Sequence, residues 1–484
     1  MMQIELKKSG PNGLDVRYKS FRHVTGNQIK ILPFTTKFKS DFTLEFKSFQ
    51  GIIGELFRIV NKKSKIETID QNVYFKTELK ETILENAINK VETENVEELK
   101  RMLSKLFFDE DNGLMKFNIK TLSYMNLSDS NDDVKEVSKF IFEIFLMEDF
   151  YKNSFDEDIT NQNLLHQLIL ECLPVLPDSK TKTKSNTYKN LFPEIKEQFN
   201  VDLKFLKENN DFFLKHVEDL FKYYYFHYLS QIILRFNNFG NDTGVIKPIH
   251  FTLDWETLSE TRLSSHSLGW KHLNRYSQSI FAHVNAIELL NYILIDDKPI
   301  GEYNQMVLIY ESLDSVEKEK FQSCIKEVIL FYTESISLNT GSWEECEKLL
   351  NLELGRRKFE SIIVKDLYTF WYKINYQFDN TKRENADVKY ANWFSRFAVV
   401  NFTKQRGRLG STTVLSQELL LFLTRLCIGN EEKIRLKFLW DRFKDRGIVF
   451  DETSKLEITK LFEKINLIEK KSDSGDAQYI KSTI

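Results

Sequence analysis

Long apolar runs, helix breakers and paired cysteines are all scarce in this sequence. No stretch approaches the ~20 consecutive apolar residues that a membrane helix needs, and Met1 to Gly10 lacks the apolar core of a secretory signal. A cytoplasmic protein with no membrane partner is expected. The cysteines Cys172, Cys324, Cys346 and Cys427 form no Cys-x-x-Cys pair, which argues against a disulfide framework and a structural zinc knuckle. They read as buried, reduced thiols. Only 17 glycines and 7 prolines interrupt 484 residues, so long helices are expected. A nucleotide loop is missing too: Gly407-Arg408-Leu409-Gly410-Ser411-Thr412 has small residues but not the lysine or spacing that would cradle phosphates. The chain is not expected to be a P-loop ATPase, and no cofactor or metal is expected.

What is present describes a foldable, mainly α protein. Hydrophobic residues make up 42% and charged residues 29%, and the length calls for about two to four domains. Phenylalanine is abundant, at 40 residues, but Phe, Asn, Lys and Ile are also what an AT-rich genome favours, so this reads as origin before function. Gln3–Leu6, Asp15–Tyr18, Gln28–Leu32 and Phe42–Phe46 are short segments separated by turn signals such as Pro11-Asn12-Gly13. They suggest a β-rich or irregular segment over residues 1–50. Helical patterning fills 51–173, ending at Leu164–Leu173, and Pro174-Val175-Leu176-Pro177 opens a polar run that reads as a linker over 174–190. A second helical domain is expected over 191–403. Its longest helix, Asn210–Asn237, contains Tyr223-Tyr224-Tyr225-Phe226-His227-Tyr228. A sequence apolar almost all round is better read as a helix buried on several sides than as a base-stacking platform.

Catalytic constellations are weak. Pro177-Asp178 followed by Glu194-Ile195-Lys196 is nuclease-like, but such a site needs its Glu and Lys on a core strand. Here Pro193 opens a solvated helix. Among the histidines between His250 and His283, His272 and His283 are nearly eclipsed on a helix but ~16 Å apart in rise, too far to share a metal. They read as structural.

The last eighty-odd residues, 404–484, follow the order of a winged helix. Ser416–Ile428, Arg435–Arg446 and a helix capped by Asp451 each carry an apolar stripe, and Gly429 and Gly447 end the first two. In the third, Ile458, Leu461, Phe462 and Ile465 bury one face and leave Lys455, Lys460 and Lys464 largely on the remaining surface. Leu467–Lys471 and Ala477–Lys481 then read as two strands around Ser472-Asp473-Ser474-Gly475-Asp476. From Lys404 onward, sixteen Lys plus Arg stand against twelve Asp plus Glu, a net of +4 in a chain whose total is −3. The asymmetry agrees with a nucleic-acid surface, although Glu457 and Glu463 dilute it. A protein-docking module remains the alternative.

Here the pattern becomes specific. Arg406-Gly407-Arg408-Leu409-Gly410, Leu415-Ser416-Gln417-Glu418 with Leu419 to Leu421, the run from Ile428 to Leu436, Arg446-Gly447-Ile448, and the run from Lys471 to Ala477 resemble the carboxyl-terminal region of the DptG family of DNA phosphorothioation-dependent restriction proteins. Lys30 to Phe38, Gly51-Ile52-Ile53-Gly54-Glu55, Tyr223 to Gln231, and Phe251 to Glu256 with Gly269-Trp270 are similar to earlier signposts of that family, so the likeness extends over most of the chain. These strings are not catalytic motifs; their specificity lies in number and order. The resemblance implies a role in the restriction arm of bacterial systems that replace a non-bridging phosphate oxygen of DNA with sulfur. That arm attacks DNA lacking the mark, and the family works with two partners, one with ATPase features and one with ATPase or helicase features. It implies a non-catalytic DNA-binding or adaptor subunit in anti-phage defence. Arg406, Arg408, Lys455, Lys460, Lys464, Lys470 and Lys471 are the candidate phosphate contacts on double-stranded DNA. The rivals are a winged-helix transcriptional regulator, for which the Lys, Thr and Glu of the third helix are poorly suited to base readout, and a nuclease with a non-local active site.

Overall fold

The computed structural model describes residues 4–8, 13–15, 23, 25–65, 75–125, 132–146, 163–179, 187–241, 244–256, 267–294, 299–470 and 478–482. The protein is mainly helical. Its first half carries α1 (Phe42–Ser48), α2 (Gln50–Val60), α3 (Phe75–Asn89), α4 (Val96–Phe107), α5 (Asp132–Phe145), α6 (Leu164–Cys172), α7 (Pro193–Lys207) and α8 (Asn210–Phe236). There follow α9 (His272–Ser277), α10 (Ile280–Leu290), α11 (Tyr303–Ser312), α12 (Ser315–Ser335), α13 (Trp343–Arg356), α14 (Ile362–Asp379) and α15 (Glu384–Phe402). The carboxyl-terminal unit adds α16 (Gln417–Ile428), α17 (Leu436–Asp445) and α18 (Glu452–Lys464). Among the described residues, no helix is long and apolar enough to cross a membrane.

Helix α8 is the axis of the molecule. The aromatic run Tyr223–Tyr228 is buried throughout, with Tyr225 against Phe140 of α5 and Phe397 of α15, and Phe226 against Phe402. Helices surround it, so its apolar residues need no single stripe. One continuous core runs from Ile4 to Ile480, and a satellite core is formed by Leu79, Ile83, Leu103, Phe107 and Ile169 of α3, α4 and α6.

The amino-terminal segment departs from expectation. Phe42–Phe46, expected within a β-rich or irregular stretch, lies in α1, where the Asp41 carboxylate accepts the Phe42 N–H and Phe42 and Phe46 pack at i and i+4 against Trp393. Capping and that aromatic contact outweigh a Phe/Thr pattern that suits strands. Gln28–Leu32 is held by the Glu288 carboxylate, which accepts the backbone N–H groups of Asn27 and Gln28 at 3.0 and 2.7 Å. Of Asp15–Tyr18, residues 16–18 lie outside the described residues, as do 147–150, the end of the helical pattern that runs from Val134 to Phe150, and 180–186 of the expected linker. The linker's flanks are tied down. Ser64 and Ser179 donate to the carbonyls of Pro177 and Lys62, and Tyr188 is buried.

The strands are short: β1 (Glu5–Leu6), β2 (Ile249–His250), β3 (Thr252–Leu253), β4 (Ile293–Leu294), β5 (Thr403–Gln405), β6 (Ser411–Leu415), β7 (Lys433–Arg435), β8 (Ile448–Val449), β9 (Ile468–Lys470) and β10 (Gln478–Lys481). Segment 249–254 threads between two parts of the carboxyl-terminal region. Ile249 and Phe251 donate to Gly447 and Val449 on the β8 side, while β3 pairs in parallel with β6 and Asp254 donates to Leu415. Alternate N–H groups of an extended chain point to opposite edges, so one segment of the body joins β8, between α17 and α18, to β6, just before α16.

Candidate nucleic-acid interface

The three carboxyl-terminal helices start and stop where their sequences say they should. Ser416 accepts the Leu419 N–H and Asp451 the Ser454 N–H, while Gly429 and Gly447 adopt positive φ at the ends of α16 and α17. Strand β7, between α16 and α17, pairs antiparallel with the last strand, β10, which pairs antiparallel with β9. The sheet order is therefore β7-β10-β9. Ile434, Ile468 and Ile480 point to the helices, and the opposite phase faces solvent.

A buried ion pair fixes the unit to the body. Arg446 donates from Nε to Asp202 Oδ2 at 2.9 Å and from Nη2 to Oδ1 at 2.5 Å, and Tyr224 of α8 donates to the same carboxylate at 2.5 Å. Asp202 is 1% exposed and Arg446 6%. The Tyr223 hydroxyl donates to the Arg446 carbonyl. One residue on, Gly447 lies so close to His227 that a Cβ there would sit 2.0 Å from the ring. Burial holds that imidazole neutral, lowering its pKa to about 3. Ser454 of α18 donates to Glu256 Oε2 at 2.9 Å. The contacts that tie this unit to the body were not visible as a pattern in the sequence, because Arg446–Asp202, Tyr223–Arg446, Gly447–His227 and Ser454–Glu256 each join residues about 200 or more positions apart.

The seven candidate phosphate contacts fall into different settings. Arg406 turns inward: its guanidinium donates to the carbonyls of Glu256 at 2.7 Å and Leu253 at 2.5 Å, clamping the threaded segment. Arg408 is exposed and forms no ion pair with a described residue. On α18, Lys455 pairs with Glu452 at 2.8 Å and Lys460 with Glu457 at 2.7 Å, whereas Lys464 is exposed with no ion pair to a described residue. Lys470 is on the helix-facing phase of β9 and reaches Glu463 at 2.7 Å. Lys471 lies outside the described residues, together with the rest of the connection 471–477. The ionisable residues of α18 are Glu452, Lys455, Glu457, Lys460, Glu463 and Lys464, three of each sign.

The other chemistry-bearing residues do not converge. Asp178 is exposed and pairs with Lys63 at 2.7 Å, while Glu194 lies in the first turn of α7. His283 is fully buried, its Nδ1 3.0 Å from the Tyr303 hydroxyl, and His272 rests against Tyr276. All four cysteines are buried and unbridged, and burial pushes the Cys427 thiol up to about 11. Among the described residues, no three His, Cys, Asp or Glu side chains group as they would to hold a metal ion. No protein-family model matches the chain, and no curated protein matches it.

Proposed function

We propose that this chain is the DNA-contacting adaptor subunit of a bacterial phosphorothioation-dependent restriction complex, acting on DNA that lacks the sulfur mark, with its carboxyl-terminal unit serving as a winged helix. The observation that carries the reading is the arrangement of that unit. Three helices and a β7-β10-β9 sheet stand in the element order of a winged helix, a fold that meets DNA. A buried bidentate ion pair and a threaded strand lock the unit to a large helical body. Force or position sensed at DNA would thus pass to whatever the body docks, which suits a subunit beside ATPase and helicase-like partners. The resemblance of the strings around Arg406, Ile428 and Arg446 to the DptG family supplies the biological setting.

The test is reconstitution. Partner subunits expressed with this chain should restrict an unmodified plasmid and spare a phosphorothioated one; partners alone should not. Restriction that persists undiminished without the chain would reject the adaptor role. Divalent-dependent cleavage by the purified chain alone would favour the nuclease reading instead.

A second reading has its own support. The α18 lysines are matched by glutamates, and Leu456 and Phe438 are 62% and 49% exposed on α18 and α17. Such a mixture also suits a protein-docking face. Loss of partner co-purification on Leu456→Asp with DNA affinity intact would select it.

A further inference from the structure

The solvent face of the β7-β10-β9 sheet carries a charge pattern that α18 does not. Pairing register places Arg435 opposite Tyr479 and Lys433 opposite Lys481, with Glu469 opposite Tyr479 on the other side. Because Ile434 and Ile480 are buried, Lys433, Arg435, Tyr479, Lys481 and Glu469 share the outward phase. Three cations thus stand within ~7 Å along two adjacent strands, against one carboxylate, Glu469, which Lys433 engages at 3.0 Å. Arg435 and Lys481 form no ion pair with a described residue, and Arg435 is exposed.

The Lys433–Glu469 ion pair offsets only one of the three cations. Like charges placed directly opposite across antiparallel strands repel, and Lys433 faces Lys481 in that way. A bound polyanion would relieve the repulsion. The net charge of the face is +2, whereas the α18 residues sum to zero.

We infer that the outward face of this sheet, through Arg435 and Lys481 with Lys433 beside them, is a phosphate-contacting surface for the backbone of duplex DNA. The inference rests on the DNA-contacting reading above and assigns it to residues outside the candidate set drawn from the sequence. Phosphate contact suits these side chains because cations on a flat sheet supply sequence-independent attraction without presenting a shape to a groove.

The experiment uses the full-length chain and an unmodified duplex over a salt series. For Arg435→Ala with Lys481→Ala, the slope of log affinity against log salt should fall by about two units, one per phosphate contact removed. The charge-preserving pair Arg435→Lys with Lys481→Arg should keep the wild-type slope, which separates charge loss from a folding defect. An unchanged slope in the Arg435/Lys481 double alanine variant of a chain that binds DNA overturns the inference and leaves the proposed function standing. A wild-type chain that binds no DNA, alone or with its partner subunits, overturns both. Loss of a protein partner on the alanine pair with an unchanged DNA slope also overturns it, in favour of an acidic protein surface.

Discussion

Removing the Arg446 guanidinium should unhinge the carboxyl-terminal unit from the body. Arg446→Ala would leave the Asp202 carboxylate buried, with only the Tyr224 hydroxyl and the Gln198 amide, 3.2 Å away, as partners. It would also release the Leu426 carbonyl, which Arg446 Nη2 now meets at 3.3 Å. Breaking a buried pair from one side costs about 3–5 kcal/mol, because the remaining charge stays in a poorly solvated site. Removing both charges together is far milder, so Asp202→Leu with Arg446→Met should be much more stable than the sum of the singles implies, with a coupling of roughly 1–3 kcal/mol. Urea unfolding gives the energies, and hydrogen exchange gives the location: α16, α17 and α18 should exchange faster in Arg446→Ala while α5 and α8 keep most of their protection. A loss below ~1 kcal/mol, the scale of an ordinary neutral hydrogen bond, or strict additivity of the two singles, would refute the latch.

Three further outcomes follow from the same contacts. Gly447→Ala should destabilise by more than ~2 kcal/mol, since it places a Cβ 2.0 Å from the buried His227 ring at a φ of +78°; a neutral effect in thermal unfolding would contradict the close approach. His227 has a folded pKa lowered to about 3 by burial, so the stability it contributes is complete above its unfolded value of ~6.5 and is lost as pH falls, at about 1.4 kcal/mol per pH unit. His227→Phe should flatten the pH dependence between 6.5 and 4.5, and an unchanged slope would count against a neutral buried ring. Arg406→Ala should lower stability by about 1.5–3 kcal/mol through its lost bonds to Leu253 and Glu256, whereas exposed Arg435→Ala should not, as paired melting curves would reveal.

Much of the carboxyl-terminal unit was legible because its signals are local. Ser416 and Asp451 are caps whose side chains reach N–H groups three residues on, and Gly429 and Gly447 are helix ends that need positive φ. The length of α8 was legible for the same reason: breakers are absent from Asn210 to Phe236. The α18 ion pairs could have been read from spacing, since Glu452 and Lys455, and Glu457 and Lys460, are three apart on one helix. What was not legible is non-local. Phe42 and Phe46 look strand-like until Trp393 is known to lie against them. The threaded segment 249–254 has strands of two residues, too short for any periodicity to register. Arg406 looked like a free cation because nothing near it in sequence reveals the carbonyls of Leu253 and Glu256. The outward cations of the sheet needed a register, which fixes which of two phases faces solvent.

The most direct measurement is DNA binding by the purified chain, alone and with the proposed ATPase and helicase-like partners, on matched phosphorothioated and unmodified duplexes across a salt series. Affinity that falls steeply with salt, with a slope reporting several phosphate contacts, is the predicted result. Absence of binding in every combination would contradict the DNA-contacting role and leave a scaffold held by protein contacts alone.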